Sequence, residues 1–276
     1  PVNGPAEVAD VAESLNTLAT ALETSEGRQR QFLLSVSHEL RTPLTGIKGF
    51  AESLADGVVT GRDTPAAGAT ILAEANRLAR LIQDLLDLAR LGAQDVRIDV
   101  STLDLADLVR SAAQVWRARC AAEGVLFSAE VPDRPVPLRS DPTRVRQILD
   151  GLAENALRVT PAGRPIVVAA RTEGAWAVLE VRDGGPGLTP DDCAVAFDRS
   201  VLYQRYRGVR QVGTGVGLAL VHGLATRLGG QAAAGRAPEG GARFTVWLPA
   251  GGPVTPANPA AITQRLPRVG AAMSRD

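Results

Sequence analysis

SVSHELRTPL, residues 35–44, sets His38 beside Glu39 and four residues ahead of Thr42, inside a run of apolar side chains at helical spacing. Leu33, Val36, Leu40, Leu44, Ile47 and Leu54 recur at the steps expected for one face of an amphipathic helix. At about 100° per residue, His38 falls nearly opposite Val36 and off that stripe, which predicts an imidazole facing solvent. A neutral imidazole has a free nitrogen lone pair and suits a nucleophile, with Glu39 able to hold the other ring proton. An isolated His-Glu pair on a helix is more often ordinary solvated surface, so the rest of the chain has to decide. Pro43 lacks a backbone N–H and predicts a bend just beyond His38.

Outward from this segment the helical pattern continues. Val8, Val11, Leu15, Leu18 and Leu22 follow the seven-residue repeat of a coiled-coil seam, so residues 6–25 read as a helix feeding the next one. DGVVTGRDT, residues 56–64, reads as a turn. A second amphipathic helix is expected over about residues 65–91, with Ile71, Leu78, Leu81, Leu85 and Leu88 on its buried stripe. A single hairpin of this kind has too little apolar surface for a core of its own, and pairing two into a four-helix bundle solves the problem.

After a boundary near residues 92–99 the pattern becomes mixed. Asp104 is placed to cap a helix over about 105–122, and Asp141–Pro142 gives a cap and first turn for another over 142–159. LFSAEV, IVVAAR, AWAVLEVRD and ARFTVWLP read as strands. The expectation is an α/β sandwich with helices on one face of a mixed sheet. Beyond about residue 250, Pro, Ala and Gly dominate and predict a disordered tail.

Composition narrows the function classes. Across 276 residues, 30 Lys plus Arg balance 30 Asp plus Glu, which removes any global charge argument for nucleic acid. Lys48 is the only lysine, and its rarity carries no functional weight. Cys120 and Cys193 are too few and too scattered for a disulfide framework or a metal site, and both are expected to be buried in a reducing compartment. No apolar run approaches the ~20 residues a membrane helix needs, and there is no secretory leader pattern. The chain starts at Pro1, which suggests a piece of something longer.

Four features in the second half converge on a nucleotide. On the 142–159 helix, Gly151, Asn155 and Arg158 share one stripe while Ile148, Leu152 and Ala156 share another. An Asn carbonyl suits magnesium and an Arg fork suits phosphate oxygens. VRDGGPGLTP ends a strand at Asp183 and continues through Gly185 and Gly187, offering a buried acceptor and close backbone for the exocyclic amine of adenine. Gly213, Thr214, Gly215, Gly217 and Leu218 precede an apolar helical run, so that backbone N–H groups and a helix start can face a polyphosphate. PEGGARFTVWLP is a glycine turn feeding a closing strand. Each has an ordinary structural meaning on its own; their order is more specific than any one.

SVSHELRTPLTGIKGFAESL resembles the H-box of bacterial two-component sensor histidine kinases. DPTRVRQILDGLAENALRVTPAG, VRDGGPGL, AFDR and VGTGVGLALVHGLATRLGG are similar to the N, G1, F and G2 boxes of that family's catalytic domain, and the first helix is similar to part of a HAMP linker. The resemblance spans about residues 26–249. It implies a multidomain α and α/β chain: a linker helix over 1–25, a dimerising phosphotransfer hairpin over 26–93 that forms a four-helix bundle, a Bergerat-type catalytic sandwich over 94–250, and a tail over 251–276.

The resemblance further implies autophosphorylation of His38, with Glu39 as its acid/base partner and Thr42 orienting water when a partner is dephosphorylated. ATP and Mg2+ are the implied cofactors: Asn155 on the metal, Arg158 near the phosphates, Asp183 on adenine with Gly185 and Gly187 beside it. Gly213, Thr214, Gly215, Gly217 and Leu218 are implied at the phosphates, and residues 189–212 as a lid from which either Arg199 or Arg207 reaches the γ-phosphate. The implied partners are a second copy and a response-regulator receiver domain, with no nucleic acid. The implied location is the cytoplasm, with a bacterial membrane reached only through an upstream region.

Two departures stand out. Many family members carry Asn or His four residues before the metal Asn, where this chain has Gly151. Gyrase-like and chaperone-like ATPases place a hydrolytic carboxylate there, and Asp150 and Glu154 lie about 100° off that stripe. Transfer to His38 is thereby favoured over hydrolysis, with an ATP-binding scaffold or a phosphatase as the alternative. His222 reads as a surface or packing residue.

Overall fold

The computed structural model describes residues 6–92, 97–198, 201–206 and 216–253. The chain divides into two units, Pro1–Val96 with Thr189–Leu220, and Arg97–Leu188 with Val221–Asp276. The first is built on a helical hairpin, α1 (Ala6–Ala55) and α2 (Thr64–Gly92), joined by a turn and one turn of 3-10 helix at Gly61–Asp63. α1 runs unbroken from the heptad segment into the His38 segment and on through Pro43, which is buried.

Only part of the α1 stripe is covered. Val36, Leu81 and Leu88 are buried and pack with Phe32, Leu40 and Leu85, and Val216 and Ala219 from the unit's second segment complete this cluster. Leu33 and Leu44, expected on the same buried stripe, are exposed. The reason is geometric: one neighbouring helix covers a narrow seam, whereas the stripe on α1 is wider than that. The unit also holds two short helices, α5 (Pro190–Ala194) and α6 (Val201–Tyr206), and the first turn of α7 (Gly217–Arg227).

The second unit has the expected mixed sheet. Its strands are β2 (Leu126–Glu130), β4 (Pro165–Glu173), β5 (Trp176–Asp183), β6 (Gln231–Arg236) and β7 (Ala242–Pro249), in the order β2-β4-β5-β7-β6. β2 pairs parallel with β4 and the remaining pairs are antiparallel. α3 (Leu105–Ala122) and α4 (Pro142–Val159) start at the caps seen in the sequence. The Asp104 carboxylate accepts from the Ala106 N–H, and that of Asp141 accepts from the Thr143 and Arg144 N–H groups. Trp116 of α3, Ile148, Leu149 and Leu152 of α4, and Leu179 and Val181 of β5 are fully buried. β1 (Ser101–Asp104) and β3 (Pro137–Ser140) form a separate antiparallel pair.

The other face of the sheet carries a polar network among apolar neighbours such as Val167 and Val178. Glu180, buried at 5% exposure, accepts from Arg171, Arg182 and Thr245. Arg182 also donates to Glu130 and Glu239. Burial pushes the Glu180 carboxyl up, but the two guanidinium groups outweigh it and hold the group below its usual range.

Candidate functional site

In the first unit His38 is exposed, as its place off the apolar stripe requires. The Thr42 hydroxyl donates to the His38 carbonyl at 3.3 Å, so one turn of helix ties the two residues together. Glu39 takes a different direction. Neighbouring residues on a helix point about 100° apart, and the Glu39 side chain, 12% exposed, turns to α2, where its Oε2 lies 3.7 Å from Arg77 Nη2. Arg77 also reaches Glu74 at 3.9 Å. Sequence reasoning missed Arg77, whose partner becomes visible only once the hairpin brings the two helices together.

In the second unit the residues read as an adenine site are brought together around Asp183. This carboxylate is 1% exposed, and its Oδ1 accepts from the Gly185 N–H at 2.9 Å and the Ala242 N–H at 3.0 Å. The Gly241 N–H donates to the Asp183 carbonyl at 3.0 Å. A Cβ added at Gly241 would stand 2.1 Å from Asp183 Oδ1, and one at Gly185 would stand 2.9 Å from the Val159 carbonyl at the end of α4. Gly187 has φ 73°, a conformation that disfavours any side chain. Glycines at 185, 187 and 241 therefore let the loop after β5, the turn before β7 and the C-terminal end of α4 close on one buried acceptor. Such a group accepts hydrogen bonds and suits a donor such as the adenine amine.

Asn155 and Arg158 sit half-buried on α4, one turn and less from Val159. The Asn155 carbonyl is a hard neutral ligand of the kind magnesium takes beside phosphate oxygens, so the residues fit that metal. Among the described residues no group of three His, Cys, Asp or Glu side chains stands where it could hold a metal ion. Gly151 has a tight surrounding: a Cβ there would lie 3.2 Å from Val221 Cγ2. Its flanking carboxylates face α3. Asp150 accepts from Trp116 Nε1 at 2.8 Å and from Arg146, and Glu154 accepts from Arg119 at 2.7 Å.

The segment after the Asp183 loop opens with a capping box: Thr189 Oγ1 accepts from the Asp192 N–H and the Asp192 carboxylate accepts from the Thr189 N–H. Asp192 is fully buried and also takes hydrogen bonds from Arg205 and Tyr206 of α6. Cys120 is buried as expected, whereas Cys193 is only half-buried because its neighbour Asp192 takes the interior position. Burial pushes both thiols up, so neither is a ready nucleophile. His222 is exposed. Gly217 and Leu218 open α7; Gly213, Thr214 and Gly215, and Arg199 and Arg207, the two arginines expected to reach the γ-phosphate, lie outside the described residues. No described helix is long and apolar enough to cross a membrane.

Residues 28–94 match the His Kinase A (phospho-acceptor) domain, and residues 140–252 match the histidine kinase-, DNA gyrase B- and HSP90-like ATPase family. The signal transduction histidine-protein kinase BaeS of Escherichia coli is 31% identical over 243 residues, which cover 88% of this chain and 51% of that protein. The sensor protein DivL of Caulobacter vibrioides is 38% identical over 243 residues, 87% of this chain and 30% of that protein. The chain thus spans about half or less of the length of these relatives. Among solved structures, full-length ShkA in complex with AMPPNP superposes with a TM-score of 0.58 at 30% identity, over 80% of this chain and 45% of that one.

Proposed function

The chain belongs to the bacterial two-component sensor histidine kinases, and from that premise we propose that it binds ATP, transfers the γ-phosphoryl group to His38, and passes it to an aspartate of a response-regulator receiver domain. The proposed division of labour is a linker helix over residues 1–25, a dimerising hairpin over 26–93, a catalytic domain over 94–250 and a tail over 251–276. The carboxylate of Asp183 reads the adenine amine, with Gly185 and Gly187 shaping the loop. Asn155 would hold a magnesium ion and Arg158 would face the phosphates, joined there by Gly213, Thr214, Gly215, Gly217 and Leu218. A bound magnesium ion would neutralise charge on the phosphates; the chain's own part is positioning, since phosphoryl transfer asks little covalent chemistry of a protein.

The step itself balances simply. A ring nitrogen lone pair of His38 forms the N–P bond, the bond from the γ-phosphorus to its bridging oxygen breaks, and ADP leaves. Glu39 would take the ring proton on turning from Arg77, beside which it lies in this structure, toward His38. Thr42, tied to the His38 carbonyl, orients water when the regulator is dephosphorylated. A homodimer and a membrane connection through an upstream region belong to the same proposal.

The observation that carries transfer over hydrolysis lies on α4. Gly151 offers no carboxylate, Asp150 is held by Trp116 of α3 and by Arg146 one turn back on α4, and Glu154 is held by Arg119 of α3. A general base for water is therefore missing where the ATPases of this fold keep one. Incubation with γ-labelled ATP and magnesium tests the proposal. The intact chain should acquire acid-labile label, and His38→Gln should bind ATP but remain unlabelled. An unlabelled intact chain, or label on the His38→Gln variant, would overturn it.

A further inference from the structure

Arg164 lies just before β4, outside every motif that marks the site, yet its guanidinium spans both halves of the Asp183 cradle. Its Nε donates to the Gly184 carbonyl at 3.1 Å and its Nη2 to the Glu239 carbonyl at 2.8 Å. Gly184 directly follows Asp183, and Glu239 stands two residues before Gly241, whose N–H holds the Asp183 carbonyl, and three before Ala242, whose N–H holds Oδ1. The approach is close on both sides. A Cβ at Gly184 would come within 3.2 Å of Arg164 Nε, and one at Gly240 within 3.1 Å of Nη2. The Glu239 side chain is anchored separately, accepting from Arg182 Nε at 3.0 Å.

We infer that Arg164 is a positioning residue for nucleotide-base specificity: by bracing the loop after β5 against the turn before β7, it fixes the direction of the Asp183 carboxylate. The inference rests on the reading of Asp183 as the adenine acceptor. A carboxylate held in one direction accepts from the 6-amino group of adenine and repels the 6-carbonyl oxygen of guanine, which is itself an acceptor. Once the brace is removed, the carboxylate can turn and the repulsion is relieved along with the attraction. A planar fork that meets two carbonyls at once is a task for Arg; Lys supplies a single point donor.

Calorimetric titration of ATP and of GTP into the full chain, with Arg164→Ala, Arg164→Gln and Arg164→Lys variants, tests this. The intact chain should prefer ATP. Arg164→Ala and Arg164→Gln should weaken ATP binding about tenfold while GTP binding changes less, so the preference narrows; Arg164→Lys should fall between. Equal weakening of both nucleotides, with the preference intact, is the signature of general loosening and overturns the inference. So does unchanged ATP binding in a folded Arg164→Gln variant. An intact chain that binds neither nucleotide refutes the ATP-binding proposal itself, a different failure from loss of the Arg164 effect.

Discussion

Asp192 shows how one residue organises a segment. Burial alone would push its carboxyl up, but hydrogen bonds from Tyr206, from Thr189 and from Arg205 outweigh burial and hold it well below the usual carboxylate range. Near pH 4 the folded segment therefore binds fewer protons than the unfolded chain. The stabilisation is complete above about pH 5, where an unfolded Asp is already ionised, and is lost as pH falls below about 4 toward the folded-state value. Hydrogen exchange over residues 189–206 should thus be faster in Asp192→Asn than in the intact chain at neutral pH, and the gap should narrow progressively as pH falls below about 4. A gap independent of pH would mean that packing, not charge, holds the segment. The residues proposed to bear chemistry stood out in the sequence where a local pattern sets them off: His38 by leaving its stripe, Asp183 by ending a strand before glycines. Arg77 beside Glu39, Arg164 at the Asp183 loop, and Arg205 and Tyr206 on Asp192 did not stand out, because each acts across a gap in sequence that only folding closes.

At the scale of elements, legibility followed period and caps. α4 begins at Pro142 behind Asp141 and ends at Val159, where the sequence pattern had placed it, because the cap and the buried stripe agree. β6 was invisible: QAAAGR has neither branched side chains nor alternation, and it forms only because it lies at the sheet edge along β7. α1 tests local preference most sharply. Pro43 cannot donate to the Glu39 carbonyl and disfavours helical geometry at Thr42, yet the helix continues through it. The cost falls within one turn of His38, so one backbone hydrogen bond is missing next to the place where the phosphoryl group is proposed to arrive. Pro43→Ala should restore the missing donor. Allowing for the buried ring that is lost, it should stabilise the hairpin by about 1–2 kcal/mol, seen as a higher melting temperature. An unchanged or lower value would show that the buried ring contributes more than the hydrogen bond it removes.

For the whole molecule, the decisive quantity is apolar surface left without cover. Leu15, Leu18 and Leu22 are 60%, 66% and 62% exposed on α1, and Leu33, Leu44, Leu72, Ile82 and Leu86 are exposed along the hairpin. Side chains in heptad register that no other described element covers support the proposed second copy, since two hairpins would bury as a four-helix bundle what one leaves in water. The heptad leucines lie on the same unbroken helix as His38, so pairing there continues directly into the proposed phosphotransfer segment. The residues proposed to read adenine belong to the other unit, so the two properties should separate. Replacing Leu15, Leu18 and Leu22 together by Gln should weaken self-association at least about tenfold by sedimentation equilibrium, given the ~0.8 kcal/mol carried by each buried methylene. ATP affinity, measured on the same samples, should stay within error of the intact chain. Association unchanged by the triple substitution would assign the pairing to the hairpin residues beyond the heptads, whereas a parallel loss of ATP binding would show that the two units do not work independently.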